Sequence, residues 1–295
     1  MELIAQIPFT ALSSSVLLFA LGVILGSFVN AVGLRYYGEG RLFDLSVIGG
    51  RSQCPQCQKQ LSWYELIPVI SFLIQQGKCR YCERPLSWQY PLVEIAGGLI
   101  MLLPVYFYNY FDLAHKVLSG QSITPYLIIA AVWTFAAFAM LLLTIIDWRL
   151  QIIPDQINLF LAGLGVVMIY LPTTSFLKNY ALIFGGPMSL FANHLLAAFI
   201  GLAFFGAIIA LSRGKAMGGG DMKLAGALGL LIGYPDIIVV IISAFVIGAI
   251  WGLYLIASHK KKFKENVPFG PFIVTGVFVT IFFGHTLANW YFTLI

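Results

Sequence analysis

In the stretch MGGGDMKLAG, Met217 to Gly226, three consecutive glycines deliver a carboxylate, Asp221, to the edge of an apolar segment. A second acid, Asp147, closes another apolar segment in LLLTIIDWRL. Two neighbouring carboxylates suit an aspartic protease. One is ionised and activates water, while its protonated partner gives a proton to the leaving amine. Held close together, they titrate as a pair in two coupled steps. Asp147 ends its helix, where the macrodipole opposes a negative charge, so capping does not explain it. A salt bridge to Arg149 or a neighbouring lysine remains open as a structural role. Asp221 can cap its own helix, but three glycines are more than a cap requires. Without Cβ atoms they let an extended peptide or a second helix come close to the backbone.

The other cluster is sulfur. The four cysteines fall in two C-x-x-C pairs, CPQC at Cys54 and Cys57 and CRYC at Cys79 and Cys82. Each pair offers two thiolates from one tight turn, and a spacer of this length folds the second turn back over a tetrahedral zinc. Two disulfides or a redox C-x-x-C are the competing readings. A cytoplasmic placement argues against the first, and the lack of a βαβ pattern argues against the second. With four thiolates the metal is structural, because no position is left for a catalytic water.

Single polar residues in apolar segments receive plainer readings. Asp155 follows Pro154 and reads as a helix-start cap. Glu94, in YPLVEIAGG, is a buried partner for a basic or main-chain group, or a functional acid. Asn30, His194 and His285 read as hydrogen-bonding glue between helices. Trp88, Trp251 and Trp290 read as interfacial anchors.

The elements that position these groups are membrane helices. The chain is 60% hydrophobic and only 10% charged, against about 25% in soluble domains. Eight apolar segments reach or approach the length of a span: 10–33, 89–110, 124–146, 154–172, 188–211, 221–233, 236–257 and 268–294. The sixth is short and glycine-rich, a tilted or re-entrant candidate. With the N-terminus outside, 15 of the 17 basic residues fall on the cytoplasmic side, leaving only Lys116 and Lys178 outside. That bias supports both count and orientation. The net charge of +5 is therefore a matter of topology, with no nucleic-acid partner implied. The run from Lys260 to Lys264 reads as a topology anchor, able also to attract anionic lipid. The start MELIAQIPFT has no basic n-region, so the first apolar segment is expected to be retained. The fold expected is all-α and polytopic. It has a first transmembrane helix within 1–33, a small zinc-stapled cytoplasmic insertion at 34–88, and a transmembrane aspartic peptidase core at 89–295. No long-period repeat is expected.

At these residues the chain resembles the type 4 prepilin peptidases. GSFVNAVGLR (Gly26 to Arg35) is similar to the family's first-helix motif, and the segment from Cys54 to Glu94 to its zinc-binding insert. IIDWRLQIIPD and MGGGDMKLAGALG are similar to its two aspartate motifs, and VPFGPF at Val267 to Phe272 to its last-helix motif. The resemblance implies that Asp147 and Asp221 are the catalytic pair, Gly218 and Gly220 the glycines of the GxGD signature, and Cys54, Cys57, Cys79 and Cys82 the zinc ligands. It implies cleavage of a short basic leader after a glycine in prepilins and pseudopilins, at the cytoplasmic face of a bacterial inner membrane. It also implies methylation of the new N-terminus from S-adenosylmethionine. Gly77 and Lys78 match a family position linked to methylation, with Glu65 and Glu94 as nearby acidic candidates for the cofactor site. No strand–GxGxxG–helix unit of a soluble methyltransferase is visible. Two differences stand out. Tyr36-Tyr37-Gly38 replaces a common proline after the first helix, and Gly219 takes a position often bulky in relatives, which predicts a more mobile loop. The contrasting function is an ion- or proton-coupled transporter with a regulatory zinc module. Acids at one face rather than the midplane speak against it.

Overall fold

The structure, a computed structural model, describes residues 9–38, 40, 42, 44–110, 120, 122–171, 189–259 and 266–293. Arg41, Lys116, Lys178 and the run Lys260, Lys261, Lys262 and Lys264 lie outside them. The described residues are mostly helical, and their only strand-like pairings are two isolated bridges. In chain order the helices are α1 (Phe9–Arg35), α2 (Leu45–Ile48), α3 (Ile70–Ile74), α4 (Gln89–Ile100), α5 (Leu103–Tyr110), α6 (Thr124–Leu150), α7 (Asp155–Ile169), α8 (Leu190–Leu211), α9 (Gly219–Ile232), α10 (Asp236–Ala257) and α11 (Gly270–Thr293). Six helical stretches are long and apolar enough to cross a membrane: Ser14–Arg35, Gln89–Tyr110, Thr124–Leu150, Leu190–Leu211, Asp236–Ala257 and Gly270–Tyr291. The other two expected spans are the shorter helices α7 and α9, of 15 and 14 residues. At 1.5 Å per residue each is about 22 Å long or less, short of the roughly 30 Å hydrocarbon core.

The chain divides into two compact units, residues 1–142 and 143–295. In the first unit α1 and α4 pack backbone to backbone. A Cβ on Gly22 would run into the Gly97 carbonyl and lie 2.8 Å from the Gly98 Cα. One on Gly26 would lie 2.8 Å from the Val93 carbonyl. Gly22 and Gly26 form a G-x-x-x-G face, the small-residue spacing that lets membrane helices touch. Polar contacts tie the same pair. Gln89 donates to the Asn30 side chain at 3.0 Å, which gives Asn30 the interhelical role expected of it. Beyond α1, Tyr36 is buried and its N–H still reaches Val32, so the chain turns only at Gly38, whose φ is +87°. Arg35 then holds the insertion by donating to the Gly49 carbonyl at 2.5 Å.

In the second unit α9 is the central element, its residues from Leu224 to Gly229 all buried. Small residues again allow the approach. A Cβ on Gly201 of α8 would lie 2.5 Å from the Ala225 carbonyl, and one on Gly229 would lie 2.5 Å from that of Ala197. On its other side Gly165 of α7 leaves room for the backbone at Leu230 and Leu231. His194 bonds the Leu230 carbonyl at 2.6 Å, a link between α8 and α9 of the kind expected of it. For His285 the described bond is to Asn289 on its own helix. The start of α11 is clamped by aromatic rings, with Phe269 5.0 Å from Phe245 and 6.0 Å from Phe205. Gly248 of α10 makes the room, since its Cβ would meet Phe269 and Phe272 at 3.3 and 3.4 Å.

Candidate active site and metal centre

Asp147 lies in the last turn of α6 and is 4% exposed. Its own helix disfavours a charge there, and the compensation comes from 123 residues away: the Gly270 N–H donates to its Oδ2 at 2.9 Å. Gly270 opens α11, so this donor is one of the unpaired N–H groups at the positive end of a 24-residue helix. A side chain there would crowd the acid, because a Cβ at Gly270 would lie 2.6 Å from Asp147 Oδ2 and 3.1 Å from Leu143 Cδ2.

Asp221 is buried in the first turn of α9 and reaches back to the Gly218 N–H at 3.3 Å. Each acid thus rests one oxygen on a main-chain N–H at the start of a helix. Both acids belong to the second compact unit and both are buried. The three glycines are not equivalent. Gly220 is tight, its Cβ position 3.0 Å from Ile153 Cβ, whereas a Cβ on Gly219 meets nothing within 4 Å. Gly219 begins α9 itself, so helix stands where a more mobile loop was expected. Asp155 also departs from its expected role. Pro154 holds the N-cap position of α7, and the Asp155 carboxylate pairs with Lys223 through both oxygens at 2.9 Å.

In the insertion, the sulfurs of Cys54, Cys57, Cys79 and Cys82 all lie within 4.8 Å of one another. Four thiolates at 2.3 Å from a tetrahedral zinc would be about 3.8 Å apart. Cys54 and Cys82 approach to 4.0 Å. The donor set and geometry therefore fit a metal ion of this kind. Two matching knuckles build the site. The Cys54 N–H reaches the Lys59 carbonyl at 3.0 Å and the Cys79 N–H that of Arg84 at 2.9 Å. Gln58 and Glu83, at φ of +57° and +55°, close the two turns. The bridges Gln53 to Gln60 and Lys78 to Pro85 repeat the pattern 25 positions apart. The duplication is in the sequence too, as QCPQCQKQLSW and KCRYCERPLSW, two short units rather than a long-period array. Main-chain N–H groups of Cys82 and Tyr81 lower Cys79 to about 7. The Arg84 N–H lowers Cys82, but burial and the three neighbouring sulfurs outweigh it and push that thiol up to about 11. Four sulfurs this close repel as thiolates, which a cation between them relieves.

The candidate cofactor residues separate. Gly77, at φ of +68°, and Lys78 line a cavity of about 460 Å³ whose walls include Phe72, Leu86 and Trp88. The Phe72 and Trp88 rings are 5.1 Å apart. Glu65 and Glu94 are not in that lining. Glu94 accepts from Ser27 Oγ at 2.8 Å and from the Val69 N–H at 2.7 Å, a main-chain partner of the kind expected. Val69 is held at φ of +61°, an outlier for a β-branched residue. Glu65 caps its short helix through the Ser62 N–H at 2.8 Å, while its buried Oε1 has no partner among the described residues.

Sequence reasoning gave no role to Gly270. The signal available was the Gly-Pro pair at a helix start within VPFGPF, where Pro suits the first turn.

The chain matches two family models, the bacterial peptidase A24 N-terminal domain over residues 20–108 and the type IV leader peptidase family over residues 133–253. It is 28% identical to a prepilin leader peptidase/N-methyltransferase of Bacillus subtilis, over 93% of this chain and 96% of that one. It is 30% identical to the protein so named in Burkholderia pseudomallei strain 1026b, over 79% of this chain and 67% of the other. A Legionella pneumophila relative of the same name is 27% identical over 82% of this chain and 75% of its own. No solved structure matches.

Proposed function

This chain belongs to the type IV leader peptidase family, and from that membership we propose that it is a prepilin leader peptidase and N-methyltransferase whose cleavage step is carried by Asp147 and Asp221. One observation carries the assignment of residues. Both acids are buried in one unit, and each has one oxygen fixed by a main-chain N–H at the start of a helix. The ionised carboxyl takes a proton from water, and the oxygen so formed attacks the scissile carbonyl carbon. The protonated carboxyl then donates to the amine nitrogen as the C–N bond breaks. Both groups are pre-oriented, so little reorganisation is needed as charge develops.

The prepilin or pseudopilin substrate is itself an apolar helix with a basic leader. It enters from the lipid, with the junction between leader and helix level with the acids. The charge asymmetry supports an N-terminus outside and a cytoplasmic insertion, and the likeness to bacterial prepilin leader peptidases supports a place in a bacterial inner membrane. Counting α7 and α9 as two further, shorter spans gives eight, which keeps both acids at the cytoplasmic face. Gly218 and Gly220 shape the approach to Asp221. The cysteines hold a structural zinc that staples an insertion of residues 34–88, too small to build a strong core alone. S-adenosylmethionine, when bound, supplies a methyl group for the new N-terminal amine. The cavity beside Gly77 and Lys78 supports a donor site in the insertion, since its volume and aromatic walls suit a small ligand. Glu65, whose buried Oε1 has no hydrogen-bond partner among the described residues, is the less committed of the two acidic candidates. Glu94 already serves the fold through both its oxygens.

The test is cleavage of a prepilin by Asp147→Asn and by Asp221→Asn. Each variant should insert and bind zinc as the parent does, yet leave the leader uncut. Cleavage at the parental rate by either variant would end the assignment.

A further inference from the structure

Asn158 is a buried polar group that the proposed chemistry does not use. It is 6% exposed, and neither its side-chain oxygen nor its side-chain nitrogen has a hydrogen-bond partner among the described residues. A buried amide left unpaired is costly, so an unsatisfied side chain on a buried helix face asks for an explanation. A leucine of similar size would avoid the cost.

Its place in the fold suggests what it serves. Asn158 shares the buried face of α7 with Leu161, Gly165 and Met168. That face meets α9, because Gly165 packs on the backbone at Leu230 and Leu231, while Asp155 pairs with Lys223 near the start of α9. The two contacts run in the same order along both helices, so α7 and α9 lie side by side and parallel. Asn158 is three residues into α7 from Asp155, and Lys223 is two residues beyond Asp221. Aligned on the Asp155–Lys223 pair, Asn158 stands five residues further along the helices than Asp221, about 7.5 Å, and aligned on Gly165 against Leu230 it stands two residues further, about 3 Å. In the orientation proposed above, that is the side facing the membrane interior.

A peptide bond inside a helix must be unwound before it can be hydrolysed, which frees main-chain N–H and C=O groups. At membrane depth no bulk water satisfies them, and each left unpaired is costly. A carboxamide carries donor and acceptor side by side, the complement of one freed N–H and one freed C=O. We propose that Asn158 is a substrate-binding residue, pairing with the unwound main chain on the side of the scissile bond that continues into the membrane. The proposal rests on the peptidase reading above. It adds a contact that acts on the peptide backbone, whatever side chains the substrate carries there.

The experiment compares parent, Asn158→Leu and Asn158→Ala in detergent, measuring kcat/KM on a purified prepilin and Tm by thermal unfolding. If Asn158 binds substrate, kcat/KM falls about tenfold or more, as expected for one lost pair of hydrogen bonds. The Tm of Asn158→Leu then equals or exceeds the parental value, because an unsatisfied buried amide has been removed. Parental kcat/KM within twofold would overturn the proposal. So would a lower Tm in Asn158→Leu, since the carboxamide would then already be serving the fold. Should Asn158→Leu fail to insert, Asn158→Ala is read on kcat/KM alone by the same criterion. The peptidase reading fails separately, by cleavage that survives loss of Asp147 or Asp221.

Discussion

Replacing Gly270 by alanine tests whether the start of α11 sets the reactive geometry of Asp147. The added Cβ would lie 2.6 Å from Asp147 Oδ2, where ordinary contact begins at 3.4 Å. The difference, 3.4 less 2.6, means that one side must yield by about 0.8 Å. The α11 start resists, with Phe269 wedged among Phe205, Phe245 and Phe272. Asp147 is the more mobile partner, and its shift lengthens a hydrogen bond now at 2.9 Å. Losing a hydrogen bond to a carboxylate costs about 1.5–3 kcal/mol, and a 1 Å misplacement of a reacting group costs about 100-fold in rate. The expectation is a fall in kcat of about 100-fold with KM nearly unchanged, because the substrate's binding surface is untouched. Gly219→Ala is the control, since its Cβ meets nothing within 4 Å and should leave kcat near parental. The assay is steady-state cleavage of a prepilin, followed by separation of leader and product. Parental kcat in Gly270→Ala, or equal loss in both variants, would refute the reasoning.

Two further outcomes follow from the packing and the metal centre. The purified protein should hold one zinc per chain. Its removal by a strong chelator, or Cys79→Ser, should loosen the insertion, read as faster proteolysis between residues 36 and 88. Gly97→Leu should destabilise the first unit by about 1–3 kcal/mol or more through overpacking. A Cβ at Gly97 already lies 2.6 Å from the Gly26 Cα, so thermal unfolding in detergent should show a clear drop in Tm.

Much of this molecule is written in short-range features. Hydropathy over 20 or so residues marks a membrane helix wherever it ends up, and six such helices form where they were expected. The C-x-x-C turns need only local backbone geometry, and the four sulfurs lie together. The duplication of the two knuckles is also legible in the aligned residues of QCPQCQKQLSW and KCRYCERPLSW. Asp147 and Asp221 drew attention because acids at the ends of apolar segments are rare and costly.

Other relations depended on packing. That Gly270 supports Asp147, that Gly22 and Gly26 face Gly97, and that Asp155 pairs with Lys223 instead of capping α7 join residues 68 to 123 positions apart or on separate helices. The burial of the Asn158 carboxamide likewise follows from which face of α7 meets α9. Hydrophobicity, turn geometry and cap chemistry are properties of neighbours along the chain, so they can be read in one dimension. Which face of a helix meets which partner, and at what height, depends on how small residues let backbones interlock, and that exists only once the helices are assembled.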